Sequence, residues 1–322
     1  MSSLRRSTIA LVVTVPSQLK GRHFTRLLDW AGDDLRAVLD LADELKAARA
    51  CGEKIPLLAG RTVALIFHKP STRTRVSFQV GIWELGGLGL DLPRGELQLG
   101  RGEPARDTAL VLSRYVDGIV VRTFAQSEVE ELAAHATVPV INGLTDEEPP
   151  CQALADLLPL REHLGTDLRG HSLAFVGDGN NVCVSLMHMA ARLGIDFAAA
   201  TPPGYEPPKE AVEAARRAGG AIRLTHDPRQ AVADADVVYT DAWTSMGQED
   251  ERDERLRAFR GFTVDGRLLR LASPRAIVLH CLPAHPGEEI AEDVLYGPRS
   301  AVWDQAENRL HAQKALLALV VR

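Results

Sequence analysis

The segment at 68–75 reads H-K-P-S-T-R-T-R and directly follows an apolar run at 62–67. Pro70 ends the predicted strand, and Ser71 is a suitable N-cap for a helix that follows it. The free backbone N–H groups and the dipole at such a helix start favour an anion. The side chains that add donors here are Ser71, Thr72, Arg73 and Thr74. The pattern predicts a phosphate-binding loop without the glycines of a nucleotide site; the alternative is a capped helix with solvated arginines.

Arg122 stands at the carboxyl end of another apolar run, at 117–122. If this strand neighbours the one at 62–67, its guanidinium adds a second cation beside the predicted phosphate-binding loop. A single arginine at a strand end is otherwise a common surface charge.

The segment at 177–182 reads G-D-G-N-N-V, follows a predicted strand and opens a helix. It matches half of a dinucleotide-binding fingerprint, but Val182 stands where the third glycine belongs. Nicotinamide binding is therefore not expected, and Asn181 is instead a candidate amide donor to a polar ligand.

Asp241 follows the apolar run at 237–240, in the sequence D-A-W-T-S-M-G. A carboxylate at a strand end could bind an ammonium group or the α-amino group of an amino acid. The alternative is an aspartate that caps a helix.

His280 and Cys281 follow the last apolar strand, in the sequence H-C-L-P. Adjacent residues of an extended chain point to opposite faces, so His280 is not expected to act as a base for Cys281. Cys281 is predicted to contact a ligand. Arg309, in the segment E-N-R at 307–309, opens the last helix and could reach back across a cleft.

Apolar runs of strand length alternate with amphipathic stretches along the whole chain. The predicted strands are 62–67, 117–122, 138–141, 172–176, 197–200, 221–224, 237–240 and 277–279. The predicted helices are 35–48, 74–85, 127–135 and 151–164, further helices between the strands from 172 to 279, and one from about 306. This alternation predicts an α/β protein of two tandem domains, each a mostly parallel sheet with helices on both faces. Ligands in such sheets bind beyond the carboxyl ends of the strands, where the motifs above lie.

Composition limits the class of partner. A chain of 322 residues exceeds what one core usually serves, which favours two domains. The net charge of −6 does not indicate a nucleic-acid partner, and no apolar run approaches the ~18 residues that span a membrane. The four cysteines lack metal-ligand spacing and are interpreted as reduced thiols of a cytoplasmic protein. Residues 1–21 are interpreted as a disordered extension; the alternative is a processed targeting segment.

Together, these motifs resemble the aspartate/ornithine carbamoyltransferase family, and its ornithine branch in particular, from about Gly21 to the C-terminus. S-T-R-T-R followed by H-C-L-P is typical of the family. The ornithine branch is indicated by G-D-G-N-N at 177–181, D-A-W-T-S-M-G at 241–247 and Q-A-E-N-R at 305–309.

The resemblance implies transfer of the carbamoyl group of carbamoyl phosphate to the side-chain amine of L-ornithine, giving L-citrulline and phosphate, a step of arginine biosynthesis and the urea cycle. It implies no metal and no organic cofactor. It also implies a homotrimer, or a multiple of trimers, with active sites shared between subunits. The expected organisation is a carbamoyl-phosphate-binding domain at 22–155, an ornithine-binding domain at 156–304, and a C-terminal helix at 305–322 that packs back on the first domain.

The resemblance also assigns roles to individual residues. Carbamoyl phosphate would be bound by Ser71, Thr72, Arg73, Thr74, Gln98, Arg122, Gln152, Cys281, Leu282 and Arg309. Ornithine would be bound by Asn181, Asp241, Ser245 and Met246. Catalysis would depend on Cys281, Asp241 and Arg122. Gln98 would reach the phosphate of a neighbouring subunit, and the Leu282–Pro283 peptide bond would be cis.

One position departs from the family pattern. The family carries H-P-x-Q at the start of the bridging helix, and its histidine donates to the carbamoyl carbonyl; here Pro149 stands at that position. Proline has no donor, and loss of one oxyanion donor typically costs about 10²–10³ in rate. Two alternatives therefore stay open: a carbamoyl-phosphate-binding paralogue with weak catalysis, and a transferase for another amine, such as putrescine or an acylated ornithine.

Overall fold

The chain forms two parallel β-sheets, each covered by helices. The structure is a computed structural model that describes residues 17–93, 95, 97, 102–244 and 249–321. The predicted α/β class with two tandem parallel sheets is confirmed. None of the helices in these described ranges combines the length and apolar character that crossing a membrane requires.

The first sheet has four strands in the order β2-β1-β3-β4, and all its neighbouring pairs are parallel. The strands are β1 (Thr62–Phe67), β2 (Leu88–Pro93), β3 (Gly118–Arg122) and β4 (Val140–Leu144). The helices around it are α1 (Gly32–Ala50), α2 (Thr72–Glu84), α3 (Ala105–Leu112) and α4 (Gln126–His135). Strands β1 and β3 are central and almost entirely buried, as strands with a helical layer on both faces must be.

The second sheet has five parallel strands in the order β7-β6-β5-β8-β9. The strands are β5 (Ser172–Val176), β6 (Asp196–Ala200), β7 (Ile222–Thr225), β8 (Val237–Thr240) and β9 (Ile277–His280). Its helices are α6 (Asn181–Leu193), α7 (Lys209–Arg217), α8 (Pro228–Val232), α9 (Arg252–Ala258), α10 (Gly266–Leu269) and α11 (Glu292–Leu295).

Two long helices join the sheets: α5 (Pro150–Leu164) and α12 (Val302–Val320). The α12 helix packs against α5, α1 and α2, so the end of the chain returns to the first domain as expected. It is buried on nearly all sides, and its polar residues therefore need partners. Lys314, for example, donates to Glu84 of α2 at 2.7 Å.

Two elements of the first sheet and its helices were not predicted. The β2 strand lies at the edge of its sheet, is only partly buried and contains Gly89 and Pro93, so it lacks the apolar run of a central strand. The α3 helix has eight residues and is equally inconspicuous in sequence. The predicted element boundaries differ from the observed ones by a few residues. The α2 helix begins at Thr72 rather than near Thr74, because Ser71 caps it.

The N-terminal extension is described only in part. Residues 1–16 lie outside the described residues, so most of the predicted disordered extension does too. Leu19 is fully buried, and the Gly21 N–H donates to the Val320 carbonyl at 2.8 Å, which attaches residues 17–21 to α12. The predicted domain limits of 22–155, 156–304 and 305–322 stay predictions.

Candidate active site

The candidate site lies where the carboxyl ends of both sheets face each other. The loops after β1 and β3 contribute from the first sheet, and the loops after β5, β8 and β9 contribute from the second. The α12 helix closes one side, because Arg309 on its first turns reaches the loop after β1. The polar motifs found in the sequence lie in these segments or on α12, as far as the structure describes their residues.

The loop after β1 has the geometry of an anion site. Ser71 is the N-cap of α2, and its Oγ accepts a hydrogen bond from the Thr74 N–H at 3.2 Å. Thr74 is buried at the base of the loop. The first turn of α2 carries no acidic residue, so its free N–H groups and dipole keep their attraction for an anion.

Three guanidinium groups surround this loop. Strands β1 and β3 are neighbours with Phe67 opposite Arg122, which places Arg122 beside the loop as predicted. Its Nη1 lies 3.5 Å from the Thr74 Oγ1, and Arg309 Nη2 donates to the same oxygen at 2.7 Å. Burial, together with the positive charges of Arg309 and Arg73, lowers the pKa of Arg122 to about 10. Arg122 is still charged at neutral pH, and the three like charges favour binding of a dianion.

Arg309 is held in place by residues of the bridging helix α5. Its Nη1 donates to the Gln152 Oε1, and the Gln152 Nε2 donates to Asp156 at 2.6 Å. Asp156 is fully buried and also accepts from Gln305 and from the Tyr239 hydroxyl, at 2.7 and 3.0 Å. Burial raises the pKa of Asp156 to about 6. The network fixes Gln152 and Arg309 on one side of the cleft.

Arg73 connects the two halves of the site. Its Nη2 donates to the Leu282 carbonyl at 2.7 Å, across 209 residues of sequence. The Leu282–Pro283 bond is cis, as expected. The Leu282 N–H donates to His280 Nδ1 at 2.9 Å, and His280 Nε2 lies 3.0 Å from the buried Glu289. Since Nδ1 accepts, Nε2 carries the proton that is donated to Glu289.

Cys281 and Asp241 lie side by side just beyond the carboxyl ends of β9 and β8. The Cys281 thiol donates to Asp241 Oδ1 at 2.9 Å, and Asn180 Nδ2 donates to Asp241 Oδ2 at 2.8 Å. Burial and the adjacent Asp241 charge raise the pKa of the Cys281 thiol well above its ordinary value. Cys281 is therefore a neutral donor rather than a thiolate nucleophile. No helix begins at Asp241, so the alternative of a capping aspartate is wrong.

Asn181 opens α6 and points toward the first domain. Its Nδ2 donates to the Thr145 carbonyl at 2.6 Å. Asn180, one residue earlier, is the N-cap of α6 and accepts from the Val182 and Cys183 N–H groups. The G-D-G-N-N segment thus contacts both the first domain and Asp241.

Three of the predicted site residues cannot be placed. Gln98, Ser245 and Met246 lie outside the described residues. The other predicted residues lie at the facing ends of the two sheets or on the helices beside them: Ser71, Thr72, Arg73, Thr74, Arg122, Gln152, Asn181, Asp241, Cys281, Leu282 and Arg309.

Pro149 precedes the first residue of α5, and its carbonyl accepts from the Gln152 N–H at 2.9 Å. The neighbouring Glu148 is buried, with the Leu27 N–H and His188 Nδ1 both 3.0 Å from its carboxylate oxygens. The backbone at Pro149 is therefore anchored from both domains. A side chain at this position would project from the N-terminus of α5.

Three contributing residues were missed in the sequence. Asn180, Asp156 and Glu289 position Asp241, Gln152 and His280 respectively. Asn180 has a local signal, because it precedes α6 as an N-cap should. Asp156 and Glu289 have none, because their importance depends on burial.

Two groups of side chains in the described part of the chain have a metal-ligating composition. In the first, Asp241, His280 and Cys281 offer ligand atoms within 4.8 Å of one another. Both nitrogens of His280 are engaged, by the Leu282 N–H and by Glu289, so this group has no free imidazole ligand. The second group, His285, Glu288 and Glu289, lies beyond Pro283.

Both halves of the chain match known sequence models. Residues 22–162 match the carbamoyl-P binding domain of aspartate/ornithine carbamoyltransferase, and residues 169–320 match the Asp/Orn binding domain. The two matches divide the chain at the bridging helix α5.

Individual proteins are similar over nearly the whole chain. The ornithine carbamoyltransferase of Carboxydothermus hydrogenoformans is 55% identical over 94% of this chain and 98% of its own length. That of Methanoculleus marisnigri is 52% identical over 93% and 97%. The structure of the Pyrococcus furiosus ornithine carbamoyltransferase superposes with a TM-score of 0.90 at 51% identity, covering 94% and 98% of the two chains. By its two domain matches and these relatives, the chain belongs to the aspartate/ornithine carbamoyltransferase family.

Proposed function

We propose that this chain transfers the carbamoyl group of carbamoyl phosphate to the side-chain amine of L-ornithine and releases L-citrulline and phosphate. The observation that carries the proposal is the Arg73–Leu282 hydrogen bond of 2.7 Å. It joins the cationic loop after β1 to the segment that carries Cys281. The loop after β1, which can bind an anion, and the Asp241 carboxylate, which can bind an ammonium group, therefore face one cleft.

The first domain holds the phosphate. The proposed ligands are the start of α2, with the side chains Ser71, Thr72, Arg73 and Thr74, and the guanidinium groups of Arg122 and Arg309. Planar guanidinium groups and helix N-termini are the donors that phosphate oxygens prefer. Gln152 supports Arg309 and completes this half. Gln98 is proposed to reach the phosphate of a neighbouring subunit.

The second domain holds ornithine. Asp241 provides the negative charge for an α-amino group, and the proposed partners of the amino-acid end are Asn181, Ser245 and Met246. Asn180 keeps the Asp241 carboxylate oriented. The residues of the second domain therefore determine which amine is carbamoylated.

The reaction itself is a displacement at the carbamoyl carbon. The neutral side-chain amine of ornithine attacks the carbonyl carbon, a C–N bond forms and the C–O bond to phosphate breaks. The amine gives up one proton to the departing phosphate or to solvent. Cys281 and Leu282 contact the carbamoyl group, and Arg122 stabilises the charge that grows on the leaving phosphate.

The assembly and location are also proposed. A homotrimer, or a multiple of trimers, would bring Gln98 of one subunit to the phosphate site of the next. Cys51, Cys151, Cys183 and Cys281 are free thiols, which suits a reducing compartment such as the cytoplasm. The proposed limits of the two substrate-binding domains are 22–155 and 156–304, with the helix at 305–322 packing on the first.

Pro149 favours a second candidate, a carbamoyl-phosphate-binding protein with slow turnover. Proline lacks the donor that the family places here. The hydroxyl of Thr74 and the guanidinium groups of Arg73 and Arg122 remain at the site. The carbamoyl transfer proposed above therefore stays possible without this donor, at a reduced rate.

A citrulline assay with purified chain, carbamoyl phosphate and a panel of amines tests the proposal. We expect product with L-ornithine and little with putrescine or N-acetylornithine. Putrescine lacks the carboxylate of the amino-acid end, and N-acetylornithine lacks its α-ammonium charge. Binding of carbamoyl phosphate is measured in parallel by calorimetry. Tight binding without citrulline would support the non-catalytic candidate, and faster turnover of another amine would overturn ornithine as the acceptor.

A further inference from the structure

The loop that follows Pro283 is a tight turn with an ordered backbone. The Glu288 N–H donates to the His285 carbonyl, and the Gly287 N–H donates to the Ile290 carbonyl, both at 2.9 Å. These bonds bring the side chains of His285, Glu288 and Glu289 to one side of the loop. One ligand atom of each lies within 4.8 Å of the others.

Glu289 is fully buried and only half satisfied. Its Oε1 accepts from His280 Nε2 at 3.0 Å and from the His285 N–H at 2.6 Å. Its Oε2 is equally inaccessible and has no hydrogen-bond partner among the described residues. A buried carboxylate oxygen without a donor is costly, since a partner is normally required.

An imidazole lies close to this oxygen but beyond hydrogen-bond distance. His285 Nδ1 lies 3.7 Å from Glu289 Oε2. Two ligands that each bind one Zn²⁺ at ~2.0–2.1 Å are about 3.4 Å apart at a tetrahedral angle and more at wider angles. The observed separation suits an ion between the two atoms better than a proton.

From this geometry we propose that His285, Glu288 and Glu289 bind one divalent transition-metal ion, such as Zn²⁺ or Co²⁺. One imidazole with two carboxylates suits these ions, whereas Ca²⁺ and Mg²⁺ prefer oxygen ligands alone. His285 is exposed, so water completes the coordination on the solvent side. This site is separate from the carbamoyl-transfer chemistry proposed above.

Glu288 has to turn to join the ion. Its carboxylate is paired with Arg252, and its side chain is 20% exposed, so it has room to rotate. The ion competes with Arg252 for this carboxylate. The bound ion would also share Glu289 with His280, and the other ring nitrogen of His280 accepts from the Leu282 N–H.

Cobalt titration of the full chain, first stripped with a chelator, tests the site. Co²⁺ reports its ligands directly: thiolate coordination gives a sulfur-to-cobalt charge-transfer band, and histidine with carboxylates does not. We expect one Co²⁺ per chain, without the thiolate band. His285→Gln and Glu288→Gln should each raise the dissociation constant for Co²⁺ at least about tenfold.

The matched control is His226→Gln. His226 is also exposed and lies 3.6 Å from a carboxylate, that of Glu206, but no buried unpartnered oxygen is beside it. Its loss should leave Co²⁺ affinity unchanged. Thermal unfolding without metal establishes that the His285 and Glu288 variants fold.

Three results would overturn the site. The first is no Co²⁺ binding by the wild-type chain. The second is equal affinity in the wild-type chain and the His285→Gln variant. The third is a thiolate band that disappears in Cys281→Ser, which would place the ion at Asp241, His280 and Cys281 instead.

Discussion

The thiol of Cys281 lies 2.9 Å from the Oδ1 of Asp241, at the ends of two neighbouring strands. The register explains the contact: Thr240 of β8 is opposite His280 of β9, so the next residue of each strand faces its counterpart. A carboxylate and a thiol in this arrangement stabilise each other only while the thiol keeps its proton.

Cys281 is therefore expected to be unreactive at neutral pH. Burial and Asp241 raise its pKa, so the nucleophilic thiolate is rare until the pH is well above 9. Iodoacetamide should modify the exposed Cys51 first, and peptide mass spectrometry gives both rates in one sample. Asp241→Asn should speed modification of Cys281. Equal rates for Cys51 and Cys281 in the wild-type chain would contradict the assignment.

Asp241→Asn should impair ornithine binding selectively. The substitution removes the charge that pairs with the substrate's ammonium, and loss of a charged hydrogen bond of about 1.5–3 kcal/mol corresponds to roughly 10–100-fold in kcat/KM for ornithine. Binding of carbamoyl phosphate, measured by calorimetry, should change little. The matched control is Asp236→Asn, at the opposite end of β8, where the carboxylate accepts from Ser172. Equal losses in both variants would indicate a general structural effect.

Arg122→Met should weaken phosphate binding without destabilising the empty protein. The substitution removes one of three clustered positive charges, so repulsion in the empty site falls. Calorimetry should show inorganic phosphate binding about 10–100-fold more weakly, and phosphate should raise Tm by less than in wild type. Arg61→Met is the control, because Arg61 lies at the other end of the same sheet and pairs with Asp117. A matching loss in Arg61→Met would exclude a local effect.

Pro149→His should accelerate carbamoyl transfer. The backbone here is anchored through Glu148 and α5, so a histidine would present its ring at the helix start. One restored oxyanion donor is worth about 10²–10³ in kcat, with little change in KM for ornithine. Pro149→Ala removes the ring without adding a donor and should stay slow. If alanine and histidine act alike, the missing donor is not the cause of slow turnover.

Asp156 should carry a proton in mildly acidic solution. Burial raises its pKa from 3.8 to about 6, so within that window the folded chain holds one proton more than the unfolded chain. This group therefore favours folding below pH 3.8, and its contribution falls as pH rises to about 6, by at most about 3 kcal/mol. Infrared difference spectra should show a protonated carboxyl band that disappears near pH 6 and is missing in Asp156→Asn. A band unchanged by the substitution would contradict this.

The sequence by itself was sufficient for the local features of the site. Ser71 as the N-cap of α2, Arg122 at the end of β3 and Asp241 after β8 all follow from contiguous residues. Apolar runs and capping residues act over one or two turns, so their signal is local. The edge strand β2 was not predicted, because a half-exposed strand with glycine and proline has no continuous apolar run.

Only the tertiary structure decided which of these residues meet. Arg309 reaches Thr74 across 235 residues, and Arg73 reaches Leu282 across 209. Both contacts depend on strand order and on the return of α12 to the first domain, which no local pattern specifies. The roles of Asp156 and Glu289 were also decided there, because burial, not residue type, gives a carboxylate its raised pKa or its unpartnered oxygen. The sequence determined the chemical groups and their place on each strand, and three-dimensional packing determined their partners.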